Sequence, residues 1–272
     1  MTLALVTATR LSRPDDDEPL LLAALRARGV DVELAAWDDP AVRWGSYDAA
    51  VVRSTWNYVH ARDRFVAWAR DTAKVTCLFN PASVLEWNSE KSYLLRFAER
   101  GIATVPTVLV PRGSAVSLRE LVPWAEVVIK PRVSAGSFET YRTARIDGDA
   151  LLARCAAERD VLVQPYVRSV EGHGERSLVF LGGTLTHAIR KSPRFDSDDE
   201  SVRAVPIEDD ERCFATEVLA AVDEPLLYAR VDLARADDGT PLLMELELVE
   251  PSLFLRHDAA ALERFADLLA RC

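Results

Sequence analysis

The sequence predicts an α/β protein that begins as a doubly wound parallel sheet. Three observations predict it. Over the first fifty residues short apolar runs alternate with a segment of helical spacing. A second alternation of the same kind runs to about residue 105. Beyond Pro106 short strands predominate, some of them joined by tight-turn dipeptides.

Leu3 to Ala8, LALVTA, is the first buried strand. Leu20 to Arg28 has helical spacing and stops at Gly29. Val30 to Ala35 alternates as a strand does, and Tyr47 to Arg53 contains the apolar AAVV of another. Val75 to Phe79 reads as a strand, Asn80-Pro81 opens a helical region, and Glu90 to Arg100 is expected as a helix ended by Gly101. After a boundary near Pro106, AEVVIKP is a strand and RVSAGSFET a loop of small residues. Asp149 to Ala157 follows as a helix and Val161 to Pro165 as a strand. Gly182-Gly183, between Ser177–Phe180 and Thr184–Arg190, signals a two-residue hairpin. Asp209 to Val222 is a helix, Leu227–Ala234 and Pro241–Leu248 are strands around Asp237-Asp238-Gly239, and Ala259–Leu269 closes as a helix. The expected division is 1–105, 106–167 and 168–272.

Composition narrows the function. The chain has 272 residues, 49 % apolar and 28 % charged, as an ordinary soluble enzyme does. Its net charge of −10 argues against a nucleic-acid partner, which needs clustered Lys and Arg. No apolar run reaches the ~18 residues of a membrane span. The apolar start is too short, and the following DDDE too acidic, for a signal peptide. Cys77, Cys155, Cys213 and Cys272 form no CxxC pair, so zinc and redox motifs are not expected and a cytoplasmic setting is.

Chemistry concentrates in a few places. YARVDLA sets Asp232 in an apolar strand, and LLMELELVEP sets Glu245 and Glu247 two apart, on one face. Three carboxylates on adjacent strands are costly to bury unless a cation joins them. Oxygen ligands without His or Cys point to Mg²⁺, with Mn²⁺ as the alternative. A solvated acidic face paired with Arg is the other reading. Lysines are scarce: only Lys74, Lys91, Lys130 and Lys191. Lys130 ends a buried strand, ahead of Ser134-Ala135-Gly136-Ser137, whose small side chains let backbone N–H groups approach phosphate oxygens. No Walker loop is present, and Lys130 also fits as a snorkelling strand-end residue. VLVQPYV (Val161 to Val167) is either a core strand or one that runs into a hinge able to pair with an adenine edge.

In their order along the chain these pieces resemble the ATP-grasp superfamily, from about Trp87 to Leu255. The resemblance implies an ATP-grasp fold: an N-terminal doubly wound α/β domain, with a small and a large lobe clamping ATP. It places Lys91 and Lys130 on the α- and β-phosphates, and Ser134, Ala135, Gly136 and Ser137 in the mobile loop over them. Gln164, Pro165, Tyr166 and Val167 become the adenine hinge, and Glu171 or Glu175 the ribose acceptor. Asp232, Glu245 and Glu247 become the Mg²⁺ ligands, Lys191 or Arg190 faces the γ-phosphate, and Arg230 an acyl phosphate; exposed strand charge is the alternative for the first two, and a salt bridge to Glu245 or Glu247 that for Arg230.

A closer resemblance covers nearly the whole chain. RSTWNY, NPASVLEWNSEKSYL, GERSLVF, THAIRKSP and ELELVEPSLFL are similar to the bacterial ATP-grasp group that contains the cyclo-ligase forming D-cycloserine from O-ureido-serine. Two departures stand out. Asn57 replaces the usual Asp, and the Arg194 to Glu211 stretch lacks the group's Phe-Arg-Val-Gln run and Gly pair, leaving Arg203 as the equivalent Arg.

The implied activity is an ATP-dependent ligase or cyclo-ligase that forms a C–N bond through an acyl phosphate on an amino-acid-derived carboxylate. A phosphotransferase, or a nucleotide sensor without turnover, is the alternative. On the substrate side, Arg53 follows a buried strand where α/β sheets bind ligands, and its planar fork suits a carboxylate. Ser54 and Thr55 are expected to add hydrogen bonds, Trp56 and Tyr58 to form a wall, and Asn57 to lie beside them. Asp17 is the candidate for a substrate ammonium; helix-start carboxylates that suit the dipole are the alternative for Asp15 to Glu18. His187 is a proton shuttle or a hydrogen-bonded strand residue. The expected partner is a small carboxylate or amino-acid derivative, with no membrane and a homodimer possible.

Overall fold

The computed structural model describes residues 1–192 and 201–271. The first apolar runs become β1 (Thr2–Thr7), β2 (Asp31–Ala36), β3 (Ala49–Val52) and β4 (Cys77–Phe79). They form an all-parallel sheet in the order β2-β1-β3-β4. Helix α1 (Glu18–Ala27) buries Leu21 and Leu25 and stops at Gly29, which has φ +74°. Helix α2 (Arg62–Thr72) was not expected. Its buried face is only Phe65, Val66, Ala69 and Thr72, a stripe masked by charged neighbours. The helical region opened by Asn80-Pro81 is α3 (Ala82–Asn88), and the helix expected over Glu90 to Arg100 is the shorter α4 (Tyr93–Glu99). Lys91 therefore lies on the turn between two helices, where its backbone N–H donates to Arg132 O at 2.7 Å.

The next stretch holds β5 (Val108–Val110), α5 (Leu118–Leu121), β6 (Glu126–Pro131), β7 (Tyr141–Ala144), α6 (Asp149–Glu158) and β8 (Val161–Pro165). Its sheet is antiparallel, in the order β5-β8-β6-β7. Then come α7 (Ser169–Gly172), β9 (Glu175–Leu181), β10 (Thr184–Lys191), β11 (Val202–Val205), α8 (Asp209–Ala220), β12 (Tyr228–Arg235), β13 (Pro241–Glu247) and α9 (Ala259–Leu269). The third sheet is antiparallel, in the order β11-β10-β9-β12-β13. Gly182 and Gly183 turn the β9–β10 hairpin with φ of +57° and +73°, values that only Gly adopts freely. No described helix is long and apolar enough to cross a membrane.

The cores explain how these sheets hold the site. Leu3, Leu5 and Leu25 pack in one cluster with Val179, Leu181, Tyr228 and Phe265. Val84, Tyr93 and Phe97 pack with Leu178, Val231 and Leu246. The first and third sheets thus share apolar cores across the expected boundary at 105, each large buried side chain contributing about 1.5–3 kcal/mol. The middle sheet has a core of its own, with Val127, Ile129, Leu152 and Val161. Two buried carboxamides fix the acid-bearing strands. Asn80 donates to Tyr228 O and Leu248 O and accepts from Leu227 N. Asn88 donates to Leu246 O and accepts from Leu248 N.

Candidate active site

A cleft of about 350 Å³ opens where the three sheets meet. Strands β12 and β13 carry its floor. Arg230 lies opposite Glu247, and Asp232 opposite Glu245, just before a register shift at Leu233. Facing residues on paired strands project to the same side. Asp232, Glu245 and Glu247 therefore each bring a carboxylate oxygen within 4.8 Å of the other two. The donor set is oxygen only, which fits a hard divalent cation. A second acidic group, His173, Glu208 and Glu211, is of another kind: Arg235 pairs with Glu208 at 2.6 Å and Arg176 with Glu211 at 2.8 Å.

Four cations surround the acids. Lys91 and Lys130 each hold one oxygen of Glu245 at 2.9 Å. Arg230 grips Asp232 through Nε and Nη2 at 2.8 Å and reaches Glu247 at 2.6 Å. Lys191 pairs with Glu175 and, at 3.1 Å, with Asp232. Burial opposes charge on Glu245, but the two lysines beside it win and hold its carboxyl below the usual range. Asp232 is likewise buried, yet Arg230 and Lys191 hold it low. Burial opposes the Lys91 ammonium too, and Glu245 more than offsets it, so its pKa is raised. Burial pushes Glu175 up to about 7 against the pull of Lys191. The floor is a network of buried cations and carboxylates paired with one another.

The roof comes from the middle sheet. Ser134, Ala135, Gly136 and Ser137 all line the cleft. Gly136 and Ser137 have φ of +59° and +62°, the second unusual for a side-chain-bearing residue. Gln164, Pro165, Tyr166 and Val167 line it as well, with the Gln164 carboxamide donating to Thr107 Oγ1 at 2.8 Å. Met244 supplies an apolar surface. Of the two ribose candidates only Glu175 lines the cleft. Glu171 lies outside the lining, bonded to Arg142 at 3.0 Å and Tyr166 at 2.9 Å.

Several expected substrate residues lie elsewhere. Arg53 is buried beneath the floor, where it donates to Pro251 O at 2.8 Å and lies over the rings of Tyr228 and Phe265. Ser54 is fully buried and bonds Thr7, and Thr55 is fully buried. Asn57 bridges Trp37 and Asp38, at 2.7 and 2.8 Å; an Asp there would set two carboxylates against each other. Both carboxylate oxygens of Asp17 accept backbone N–H groups, from Leu253 and Leu255. Asp17 does not line the cleft, and these bonds brace the chain at Leu253 to Leu255. Arg203 is exposed on β11 opposite Arg190, one step out of phase with Lys191, and so on the other face of the sheet. Arg190 itself donates to His173 O and Gly172 O. His187 contacts Leu253 O at 2.9 Å. The altered stretch from Arg194 lies in part, at 194–200, outside the described residues.

Trp56 and Tyr58 do line the cleft. With them are residues that sequence reasoning missed: Arg13, Glu250, Ser252 and Phe254. Glu250 follows the end of β13, where strand periodicity no longer applies, and Arg13 sits in a loop without a pattern. For Glu250, Ser252 and Phe254 the available signal was the shared run ELELVEPSLFL.

Comparison with known proteins bears on the family and the fold. Residues 3–80 match the model of the N-terminal domain of D-cycloserine synthetase DcsG. The cycloserine biosynthesis protein DcsG of Streptomyces lavendulae is 35 % identical over 98 % of this chain and 97 % of its own. The crystal structure of D-cycloserine synthetase DcsG superposes with a TM-score of 0.90 at 34 % identity, covering 100 % of this chain and 99 % of that one. The D-alanine–D-alanine ligase of Bacillus anthracis shares the fold, with a TM-score of 0.77 at 14 % identity over 100 % of this chain and 96 % of its own. With its clamped cleft and a relative matched end to end, the chain belongs to the D-cycloserine synthetase family of ATP-grasp ligases.

Proposed function

We propose that this ATP-dependent C–N ligase is a cyclo-ligase that activates the carboxylate of a β-substituted amino acid of the O-ureido-serine type and closes its ring. The single observation that carries the reading is the floor of the cleft. Glu245 holds Lys91 and Lys130 together, and Arg230 links Asp232 to Glu247. Cations for a polyphosphate and carboxylates for a divalent metal thus share one surface.

ATP would lie between the middle and third sheets, its base beside Gln164 to Val167 and Met244 and its phosphates beside Lys91, Lys130 and the Ser134–Ser137 loop. Mg²⁺ on Asp232, Glu245 and Glu247 would neutralise the phosphate charge during transfer. The substrate carboxylate attacks the γ-phosphorus, so an O–P bond forms, the bond to the β-phosphate oxygen breaks and ADP leaves. A nitrogen of the same molecule then attacks the acyl carbon. A C–N bond forms, the C–O bond to phosphate breaks, and the nitrogen gives up a proton. Arg230, at the substrate side of the floor, is placed to bind the anionic acyl phosphate. Lys191, between Glu175 and Asp232, keeps the γ-phosphate end of the network neutral. The expected setting is the cytoplasm, where ATP and amino-acid derivatives are available.

The test is Mg²⁺-dependent release of ADP and phosphate with O-ureido-serine, read together with mass spectrometry of the product. Ring formation with one ADP per ring supports the proposal. ADP release that leaves only a stable phosphorylated acid favours a phosphotransferase.

A further inference from the structure

Among the carboxylates that line the cleft, Glu250 differs from the rest. Asp232, Glu245, Glu247 and Glu175 each hold a Lys or Arg within ion-pair distance. Glu250 forms no ion pair among the described residues, although it is only 8 % exposed. Its side-chain partner is a neutral group, the Tyr58 hydroxyl. The cations closest to it in effect are Lys91 and Arg230, and both are engaged, Lys91 by Glu245 and Arg230 by Asp232 and Glu247. Burial and the neighbouring Glu247 push its carboxyl up to about 8. A buried carboxylate without a cation is costly, and this one faces the cavity in which a substrate would sit.

The surroundings hold the backbone at Glu250 in place. The indole of Trp56 donates to Glu250 O at 3.3 Å, and Arg53 holds the next carbonyl, that of Pro251, from below. Arg13 covers the Trp56 ring at 4.8 Å and reaches Ser252 Oγ at 3.5 Å. The pocket is thus closed by aromatic rings on one side and by the acid floor on the other.

We propose that Glu250, oriented by Tyr58, binds the α-ammonium of the amino-acid substrate and so selects amino acids from simple carboxylic acids. This rests on the ring-closing ligase reading and assigns its substrate-recognition residue. The distribution of charge supports it. With the substrate carboxylate drawn toward Arg230, its ammonium would supply the positive charge that favours an ionised Glu250, which burial and Glu247 otherwise oppose.

The experiment is calorimetric titration of the enzyme loaded with Mg²⁺ and ADP, using O-ureido-serine and its des-amino analogue, 3-(ureidooxy)propanoic acid. The wild type is expected to bind the amino compound at least ten-fold more tightly. In Glu250→Gln that preference should fall to within about two-fold, while ADP affinity stays within two-fold of wild type, which shows that the cleft is intact. No preference in the wild type, or a preference retained by the variant, overturns the proposal. The wild-type comparison needs no variant and stands even if Glu250→Gln folds poorly. Turnover separates the two readings. An enzyme that prefers the ammonium but closes no ring keeps the role of Glu250 and loses the cyclo-ligase reading. Ring closure with the preference intact in Glu250→Gln does the reverse.

Discussion

Replacing Glu245 with Gln separates the stability of the cleft from its catalysis. The amide keeps the shape of the side chain and removes the charge that Lys91 and Lys130 share. Those lysines are 9 % and 5 % exposed, so water cannot replace the lost partner well. Removing one partner of a buried pair costs about 3–5 kcal/mol. The Glu245 side chain is 22 % exposed, which puts the loss at the low end, about 3 kcal/mol. At roughly 2–4 °C per kcal/mol for a chain of this size, the nucleotide-free Tm should fall by about 6–12 °C. In the proposed phosphate site, ATP would supply new oxygens for both lysines without any metal. The Tm gap should therefore narrow when saturating ATP is added in the presence of EDTA, and the variant should bind metal-free ATP at least as tightly as wild type. Mg²⁺-dependent turnover should nonetheless be almost abolished, because a proposed metal ligand is gone. The assays are melting curves with and without ATP, and ADP release with Mg²⁺. An unchanged nucleotide-free Tm, or a gap that ATP leaves as it was, would refute the account of the floor as a shared ion network.

Other perturbations address other parts of the molecule. Lys130→Met and Lys91→Met should each weaken ATP binding by at least ten-fold, since each loses a charge-assisted contact; unchanged affinity in titrations of both would remove them from the phosphate site. Arg53→Ala should lower Tm by several degrees and weaken ATP and substrate binding together, because it loses the Pro251 bond and its packing on Tyr228 and Phe265; a stable protein defective for substrate alone would contradict this. Asn80→Ala removes three buried hydrogen bonds and should destabilise by about 2–4 kcal/mol, read as a lower denaturant midpoint.

The pH dependence of stability tests the setting of Glu250. The folded-state pKa of its carboxyl, about 8, lies above the ordinary 4.5 of a free glutamate side chain. Its contribution is therefore full below pH 4.5 and is lost as pH rises through 8. The groups facing it are Tyr58, Glu247, Lys91 and Arg230. Between pH 5 and 8 the wild-type Tm should fall relative to that of Glu250→Gln, and parallel profiles would contradict the assignment. Glu175 titrates in the same window, with its pKa of about 7, and the difference between the two proteins cancels it.

Much of this site was legible because strands impose a period of two. Glu245 and Glu247 had to share a face, and the paired strand had to bring Asp232 beside them. The scarcity of lysine singled out Lys91 and Lys130, although local spacing wrongly put the first inside a helix. Arg53 shows the limit of strand-end reasoning. The rule placed its backbone at the ligand edge of the first sheet, but its side chain turns beneath Tyr228. The third sheet packs against that edge, a tertiary fact without a local signal. Glu250 was hidden for a similar reason, since it lies past the end of β13 and its position depends on Trp56 and Arg53. Strand β7 escaped notice because Tyr141–Ala144 is a half-exposed edge with no apolar alternation.

The central claim is that ATP activates a carboxylate of the substrate as an acyl phosphate. The most direct test is turnover of O-ureido-serine labelled with ¹⁸O in its carboxylate, followed by mass analysis of the released phosphate. Transfer through an acyl phosphate predicts one labelled oxygen in each phosphate. Unlabelled phosphate formed in step with ring closure would contradict it.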